Sequence, residues 1–350
     1  MPLEKDYAVR ATKEFKTSPS PHGKIKIAVR MTNNRKMFER IVERVRAELD
    51  SPGRVNFIFC SSNEEFASAG SDVEIASCYK FTPEIFSGLS GLKWLHFGAT
   101  GVDGILFPAL IKSDVILSKG VGFHSKVTAE HAIAMMLYFE KKFAELINFR
   151  ESKKWSQREI ALQNGTLRGK SLGILGFGAV GQALSEMATV FGMNVSVATR
   201  SSKTSENLPH VNRVYAFSEL NELIAQTDYF AICAPLTKET KGLINRERLS
   251  HMKESAIIIN VARGAIVDES ALHQALSQKK IAGAGLDVFA TEPLPEDSPL
   301  FELDNVFLSP HIAGNFGDYT PLAATDFGVN LQRYLSGKEL RNLVDKSLGY

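Results

Sequence analysis

The sequence predicts an α/β protein made of two doubly wound units, each built on a mainly parallel sheet. Three observations carry this reading. Short β-rich apolar runs alternate with longer amphipathic runs between residues 25 and 117. The same alternation restarts at residue 171 and continues to residue 308. A glycine-rich turn follows the first strand of that second series. Strand–helix alternation of this kind implies crossover connections that place helices on both faces of a sheet.

Taken in order, Lys24–Met31 alternates with period two and reads as a strand. Arg35–Leu49 carries Met37, Phe38, Ile41, Val42, Val45 and Leu49 on one helical stripe. Val55–Cys60, Val73–Cys78, Leu92–Phe97 and Val115–Leu117 continue the strands. Lys126–Phe149 reads as one long helix with Ile133, Met136, Leu137 and Phe143 on its apolar side, followed by a polar stretch, Glu151–Gly169. The second unit has five strands between residues 171 and 288: Ser171–Leu175, Asn194–Ala198, Tyr229–Cys233, Ala256–Val261 and Gly283–Val288. Val306–Leu308 is the last strand, and a helix runs from about Pro321 to Leu335. Residues 1–24, with Ser-Pro-Ser-Pro-His-Gly at positions 18–23, read as a flexible lead-in.

Length and charge narrow the functional classes. The 350 residues suffice for two domains at roughly 100–200 residues each. Lys and Arg total 41 against 39 Asp and Glu, a net charge of +2. Such a balance offers no bulk field for nucleic acid or an anionic membrane. The longest purely apolar run, Ala132–Phe139, is far short of the roughly 20 residues a membrane helix needs. The N-terminus has no apolar core of a signal peptide. Three cysteines, Cys60, Cys78 and Cys233, are an odd number without metal-ligand spacing. They argue against a disulfide framework and against a metal site, and fit a reducing, cytoplasmic location.

Residues 171–181 read Ser-Leu-Gly-Ile-Leu-Gly-Phe-Gly-Ala-Val-Gly, so Gly176, Gly178 and Gly181 form G-x-G-x-x-G. A strand precedes the motif, the helix-like Gln182–Phe191 follows it and a second strand starts at Asn194, which is the dinucleotide-binding context. Gly176 allows the tight turn, Gly178 lets backbone approach a pyrophosphate, and Gly181 lets helix and strand pack closely. Phe177, Ala179 and Val180 complete the cofactor turn at the helix N-terminus. A rival motif, Gly165–Ser171, superficially resembles a P-loop but has too few residues between its glycines and precedes its strand. Enzymes that use NAD place an acid about 20 positions after the motif begins. Here the second strand ends Thr199-Arg200-Ser201-Ser202-Lys203, with no acid. An arginine fork there grips a ribose 2′-phosphate. NADP(H) is therefore the preferred cofactor, with NAD(H) possible.

Three later segments turn a nucleotide-binding reading into an enzyme reading: Asn260–Glu269 around Arg263, Gly283–Pro295 with Asp287 and Glu292, and Ser309–Gly314 around His311. In wording and order they resemble the D-isomer-specific 2-hydroxyacid dehydrogenase family. Gly98–Asp103, Ala129-Glu130-His131, Trp155, Leu167–Lys170, Ala234–Thr237 and Asn342–Asp345 support the resemblance, which covers about residues 25–350. Reduction of a 2-oxo acid needs a cation for the carboxylate and a proton donor for the developing alkoxide. Arg263 can supply the cation through a charge-assisted fork. His311 can supply the proton, because an imidazole titrates near neutrality. Glu292 would orient that ring. The resemblance assigns the family's Arg, Glu and His roles to these three positions. It also implies that Thr100 and Gly101 offer backbone N–H groups to the substrate carboxylate, that Asp287 and the backbone of Val261 meet the nicotinamide carboxamide, and that Pro235 flanks the adenosine.

The resemblance further implies two Rossmann-like, doubly wound parallel-sheet domains with the active site in the cleft between them. Residues 25–121 and 312–350 would form a flavodoxin-like substrate-binding domain, and residues 122–311 the dinucleotide-binding domain. A homodimer is implied, formed partly through the helix near residues 126–149, with Trp155 in the core or at that interface. The expected reaction is reversible NADPH-dependent reduction of a 2-oxo acid to a D-2-hydroxy acid, as in glyoxylate and hydroxypyruvate reductases. The alternative is a dinucleotide-sensing transcriptional corepressor on the same scaffold, with little turnover. Retention of the Glu292–His311 pair argues against formate oxidation, since the family's formate enzymes replace that glutamate. Specificity is expected around Cys78–Phe81 and Thr100, and from Phe316 and Tyr319.

Overall fold

A computed structural model describes residues 24–200 and 208–350. The first strands and helices follow the predicted order: β1 (Ile25–Arg30), α1 (Arg35–Ala47), β2 (Val55–Phe59), α2 (Asn63–Ala67), β3 (Val73–Cys78), α3 (Pro83–Gly88), β4 (Trp94–Phe97), α4 (Pro108–Lys112) and β5 (Ile116–Lys119). Capping explains several starts. Asn34, Ser62 and Thr82 each accept a hydrogen bond from a first-turn amide of α1, α2 and α3. The strands form a parallel sheet in the order β2-β1-β3-β4-β5, one of the two common doubly wound orders.

The next part of the chain contains α5 (Ser125–Glu140), α6 (Phe143–Ser152), α7 (Gln157–Ala161), β6 (Ser171–Leu175), α8 (Ala179–Val190), β7 (Asn194–Thr199), β8 (Arg213–Ala216), α9 (Leu220–Gln226), β9 (Tyr229–Ile232), α10 (Arg246–Ser250), β10 (Ile257–Asn260), α11 (Glu269–Ser277), β11 (Gly283–Leu286) and β12 (Val306–Leu308). Its parallel sheet has the order β12-β11-β10-β9-β6-β7-β8. The order reverses between β6 and β9, and the glycine turn leaves the C-terminal end of β6 at that switch point. The last helix, α12 (Tyr319–Leu335), packs on α1. Gly328 permits that approach, because a Cβ there would stand 3.1 Å from the Val45 Cα.

The chain divides into two compact units, residues 1–123 with 317–350, and residues 124–316. The first has apolar layers on both faces of its sheet, one built with α1 and α12 around Trp94 and Phe327, the other around Phe66, Phe81 and Leu95. Tyr334 of α12 donates to Glu74 of β3 at 2.9 Å, and Lys346 donates to the carbonyls of Leu110, Ser113 and Val115. These bonds tie the C-terminal segment to the first unit. The second unit likewise has two apolar layers, one under α5 and α8 and the other under α9 and α11.

Three expectations need correction. The helix predicted over Lys126–Phe149 is two helices, because Lys142 adopts a left-handed backbone (φ 53°) and starts α6 afresh. The second sheet has a strand the periodicity missed, β8, an edge strand of which only Tyr215 is buried. Trp155 is not a core residue: it is 79% exposed, stacked edge-on against Phe149. The lead-in predicted for residues 1–24 lies outside the described residues, apart from Lys24. Among the described residues, no helix is long and apolar enough to cross a membrane. All three cysteines are free thiols.

The first unit also buries a titratable pair. His96 Nδ1 meets the Ser118 hydroxyl at 3.0 Å, and its Nε2 lies 3.9 Å from Asp326 Oδ2. Burial pushes Asp326 up to about 7 and His96 down to about 3. The folded protein therefore keeps a proton on Asp326 that the unfolded chain releases near pH 3.8. That contribution is present in full below the unfolded value and is lost as pH rises through about 7. The shift corresponds to a loss on the order of 4 kcal/mol. Asp326→Asn should raise the melting temperature relative to the parent, and the gain should grow from pH 5 to pH 8. His96 is common to both proteins, so the difference isolates the carboxyl. A pH-independent difference would refute the account.

Candidate active site

The glycine turn is built as its sequence demands. Gly176 has φ +92°, and a Cβ there would lie 2.7 Å from the backbone of Ala234. A Cβ on Gly181 would stand 2.3 Å from the Gly176 carbonyl, so only glycine lets α8 start this close to β6. Gly178 faces open space, with nothing within 4 Å of a Cβ. It is the N-cap of α8, and no side chain caps the helix. The first-turn amides, at Ala179 and Val180, are thus available to an anion, with the helix dipole behind them. Phe177 turns its ring into the core, so only its backbone belongs to the turn. This cradle fits a dinucleotide pyrophosphate.

Thr199 ends β7 buried, and Arg200 follows it exposed. Ser201 and Lys203 lie outside the described residues. Across the switch point, the Thr240 hydroxyl donates to the Pro235 carbonyl at 2.7 Å, fixing the loop after β9.

Arg263, Glu292 and His311 all belong to the second unit. Arg263 follows β10 in a loop bracketed by Asn260, whose buried side chain accepts from Ala262 N at 3.1 Å and donates to the Arg263 carbonyl at 3.0 Å. The guanidinium donates to the Ala262 carbonyl at 2.7 Å. Gly264 lets this loop press against the next one, since a Cβ there would stand 1.9 Å from the Phe289 carbonyl carbon. The next loop carries Glu292, whose Oε1 accepts from Phe289 N at 3.0 Å. Its Oε2 lies 2.6 Å from His311 Nδ1. A carboxylate only accepts, so Nδ1 carries the hydrogen, and Nε2 is left as the ring atom for a reacting group. Half of the His311 side chain is exposed.

His311 is held at φ 54°, a left-handed conformation that histidine tolerates better than most residues. Asp287 maintains it. This carboxylate is buried and accepts from the Ser309 hydroxyl (2.6 Å), Ile312 N (2.9 Å) and Ala313 N (2.9 Å), while its carbonyl accepts from His311 N at 2.8 Å. Sequence reasoning offered Asp287 as a nicotinamide contact and missed this anchoring role. Asn260, Gly264 and Ser309 were also missed as supports, although all three lie in the segments that carried the resemblance. Val261 is half-buried at the end of β10.

In the first unit, Thr100 and Gly101 lie half-buried in the loop after β4, with the Thr100 hydroxyl bonded to the Gly120 carbonyl at 2.7 Å. The Tyr79 ring lies against Gly98, and the Tyr319 hydroxyl reaches the Gly98 carbonyl at 3.4 Å. Within the segment Cys78–Phe81, Tyr79 is half-buried and Lys80 exposed, while Cys78 and Phe81 turn into the core. Cys78 ends β3, which lies inside a sheet covered on both faces, and Phe81 packs among Phe66, Phe86 and Phe107. Phe316 is half-buried.

The sheet order and the glycine cradle define a dinucleotide-binding fold. Residues 133–313 match the family described as D-isomer specific 2-hydroxyacid dehydrogenase, NAD binding domain. A glyoxylate reductase of Thermococcus onnurineus is 37% identical over 273 residues, 76% of this chain and 80% of that protein. A 2-hydroxyacid dehydrogenase family protein from Aeromonas salmonicida superposes with a TM-score of 0.80 at 26% identity, covering 93% of this chain and all of that one. An NADPH-dependent glyoxylate/hydroxypyruvate reductase from Sinorhizobium meliloti, solved with NADP and sulfate, gives 0.79 at 25% identity with the same coverage. The chain is an enzyme that uses a nicotinamide dinucleotide. It belongs to the D-isomer specific 2-hydroxyacid dehydrogenase family.

Proposed function

We propose that the protein is a cytoplasmic, NADPH-preferring reductase that converts a small 2-oxo acid into the D-2-hydroxy acid. The observation that carries the reading is the 2.6 Å pair between His311 Nδ1 and Glu292 Oε2, in the same unit as Arg263. When bound, the reduced nicotinamide supplies the hydride. Gly176, Gly178 and the first amides of α8 hold its pyrophosphate, and Pro235, Val261 and Asp287 flank the remainder. Arg263 grips the substrate carboxylate. The His311 Nε2 proton passes to the carbonyl oxygen as hydride reaches C2, and the resulting neutral imidazole is reprotonated from solvent. In the oxidation direction, neutral His311 takes the hydroxyl proton. Glu292 holds the ring in place throughout and favours its imidazolium form.

The NADPH preference rests on Arg200 and on the absence of an acid at the end of β7. A homodimer is part of the same reading. Phe143, Leu146, Ile147, Trp155 and Leu162 leave apolar side chains exposed along α6, α7 and their flanks. The test is a panel of glyoxylate, hydroxypyruvate, pyruvate, phenylpyruvate and branched 2-oxo acids, each with NADPH and with NADH. We expect turnover of a small 2-oxo acid with a higher kcat/KM for NADPH. A clear preference for NADH removes the role of Arg200, and no turnover across the panel favours the corepressor role.

A further inference from the structure

We infer that His131 is a positioning residue for the His311 loop, acting through Ser309 and the Asp287 carboxylate. The inference rests on the reading of His311 as the proton donor. His131 lies on α5, in the Ala129-Glu130-His131 segment, and its Nε2 stands 3.0 Å from the Ser309 hydroxyl. That hydroxyl stands 2.6 Å from Asp287 Oδ1. A carboxylate accepts only and a hydroxyl has one proton, so Ser309 must donate to Asp287. The contact with His131 is then a hydrogen bond only if Nε2 carries a hydrogen. The chain therefore has a fixed direction, from His131 to Ser309 to Asp287. His131 Nε2 also lies 3.9 Å from Asp287 Oδ1, so its donor edge faces the carboxylate as well as the hydroxyl.

The far end of this chain sets the position of His311. Asp287 Oδ1 takes the Ile312 amide and Oδ2 the Ala313 amide, and His311 N is shared between the carbonyls of Asp287 and Ser309. Four hydrogen bonds thus hold three consecutive residues around a left-handed backbone turn. Asp287 follows a strand of the sheet, and Ser309 opens the loop. His131 ties that arrangement to α5, which packs against the sheet. Without it, the Ser309 hydroxyl loses the donor that fixes its rotamer, and the carboxylate can turn away from the loop amides. Reacting atoms misplaced by about 1 Å cost on the order of 10²-fold in rate.

The test uses the full chain with glyoxylate and NADPH. His131→Ala should lower kcat roughly tenfold to hundredfold, with little change in either KM. His131→Gln, whose amide nitrogen reaches about as far as Nε2 and donates, should restore most of the loss. A merely structural role would change the melting temperature without this split between kcat and KM and without rescue. Wild-type kcat in His131→Ala, or a loss that Gln does not restore, overturns the inference. Histidine 15N NMR keeps it testable if His311 proves dispensable. His131 should appear as the Nε2–H form, and Ser309→Ala should move its signal. A neutral His131 protonated only at Nδ1 overturns the chain whatever the activity of the His311 variants.

Discussion

Replacing His311 by alanine should lower kcat by roughly 10²–10⁴-fold, with cofactor binding retained. The site geometry makes the prediction sharp. The ring makes one side-chain hydrogen bond, to Glu292, and leaves Nε2 for the substrate. The loop is held by backbone amides of Ile312 and Ala313 on Asp287, which survive the substitution. One complication is backbone strain, because residue 311 sits at φ 54°, a conformation that alanine tolerates less well than histidine. His311→Asn separates the effects, since asparagine tolerates the left-handed region. If both variants lose turnover equally, the proton has been removed. If asparagine restores it, the backbone was responsible, and the acid–base assignment fails.

The second large effect is expected at Arg263. Arg263→Ala should raise KM for the 2-oxo acid and lower kcat, reducing kcat/KM by about 10²–10³-fold, the scale seen when one donor to a developing oxyanion is lost. The KM for NADPH should change little. Arg263→Lys should recover only a small part, because an ammonium cannot reproduce two parallel N–H bonds to a carboxylate. Asn260 brackets the loop through the backbone of residues 262 and 263, so the loop should persist in both variants. An unchanged substrate KM in Arg263→Ala, or complete recovery with lysine, would remove Arg263 from carboxylate binding.

Much of this was legible in the chain because the signals are local. Inner β-strands such as β3, β9 and β10 read as short apolar runs, since they are buried on both faces of a parallel sheet. β8 escaped because an edge strand with a single buried residue has no such run. The break between α5 and α6 escaped because it depends on the backbone of Lys142, a residue with no helix-breaking chemistry. Cys78 and Phe81 bracket a segment expected to shape specificity, yet packing of β3 against its neighbours and of Phe81 against other aromatic rings carries both side chains into the core.

The sequence by itself determined the two α/β units, the glycine cradle and the residue types a 2-oxo acid reductase needs. These follow from periodicity and from backbone conformations that only glycine adopts, and both are properties of contiguous residues. Only the tertiary structure decided which groups hold one another. Glu292 reaches His311 across 19 positions, and His131 reaches Ser309 across 178. The approach of Gly264 to Phe289 likewise depends on two loops folded side by side. Such bonds are made by chain segments that meet only after the sheet has formed, and no local pattern encodes their distance or their direction.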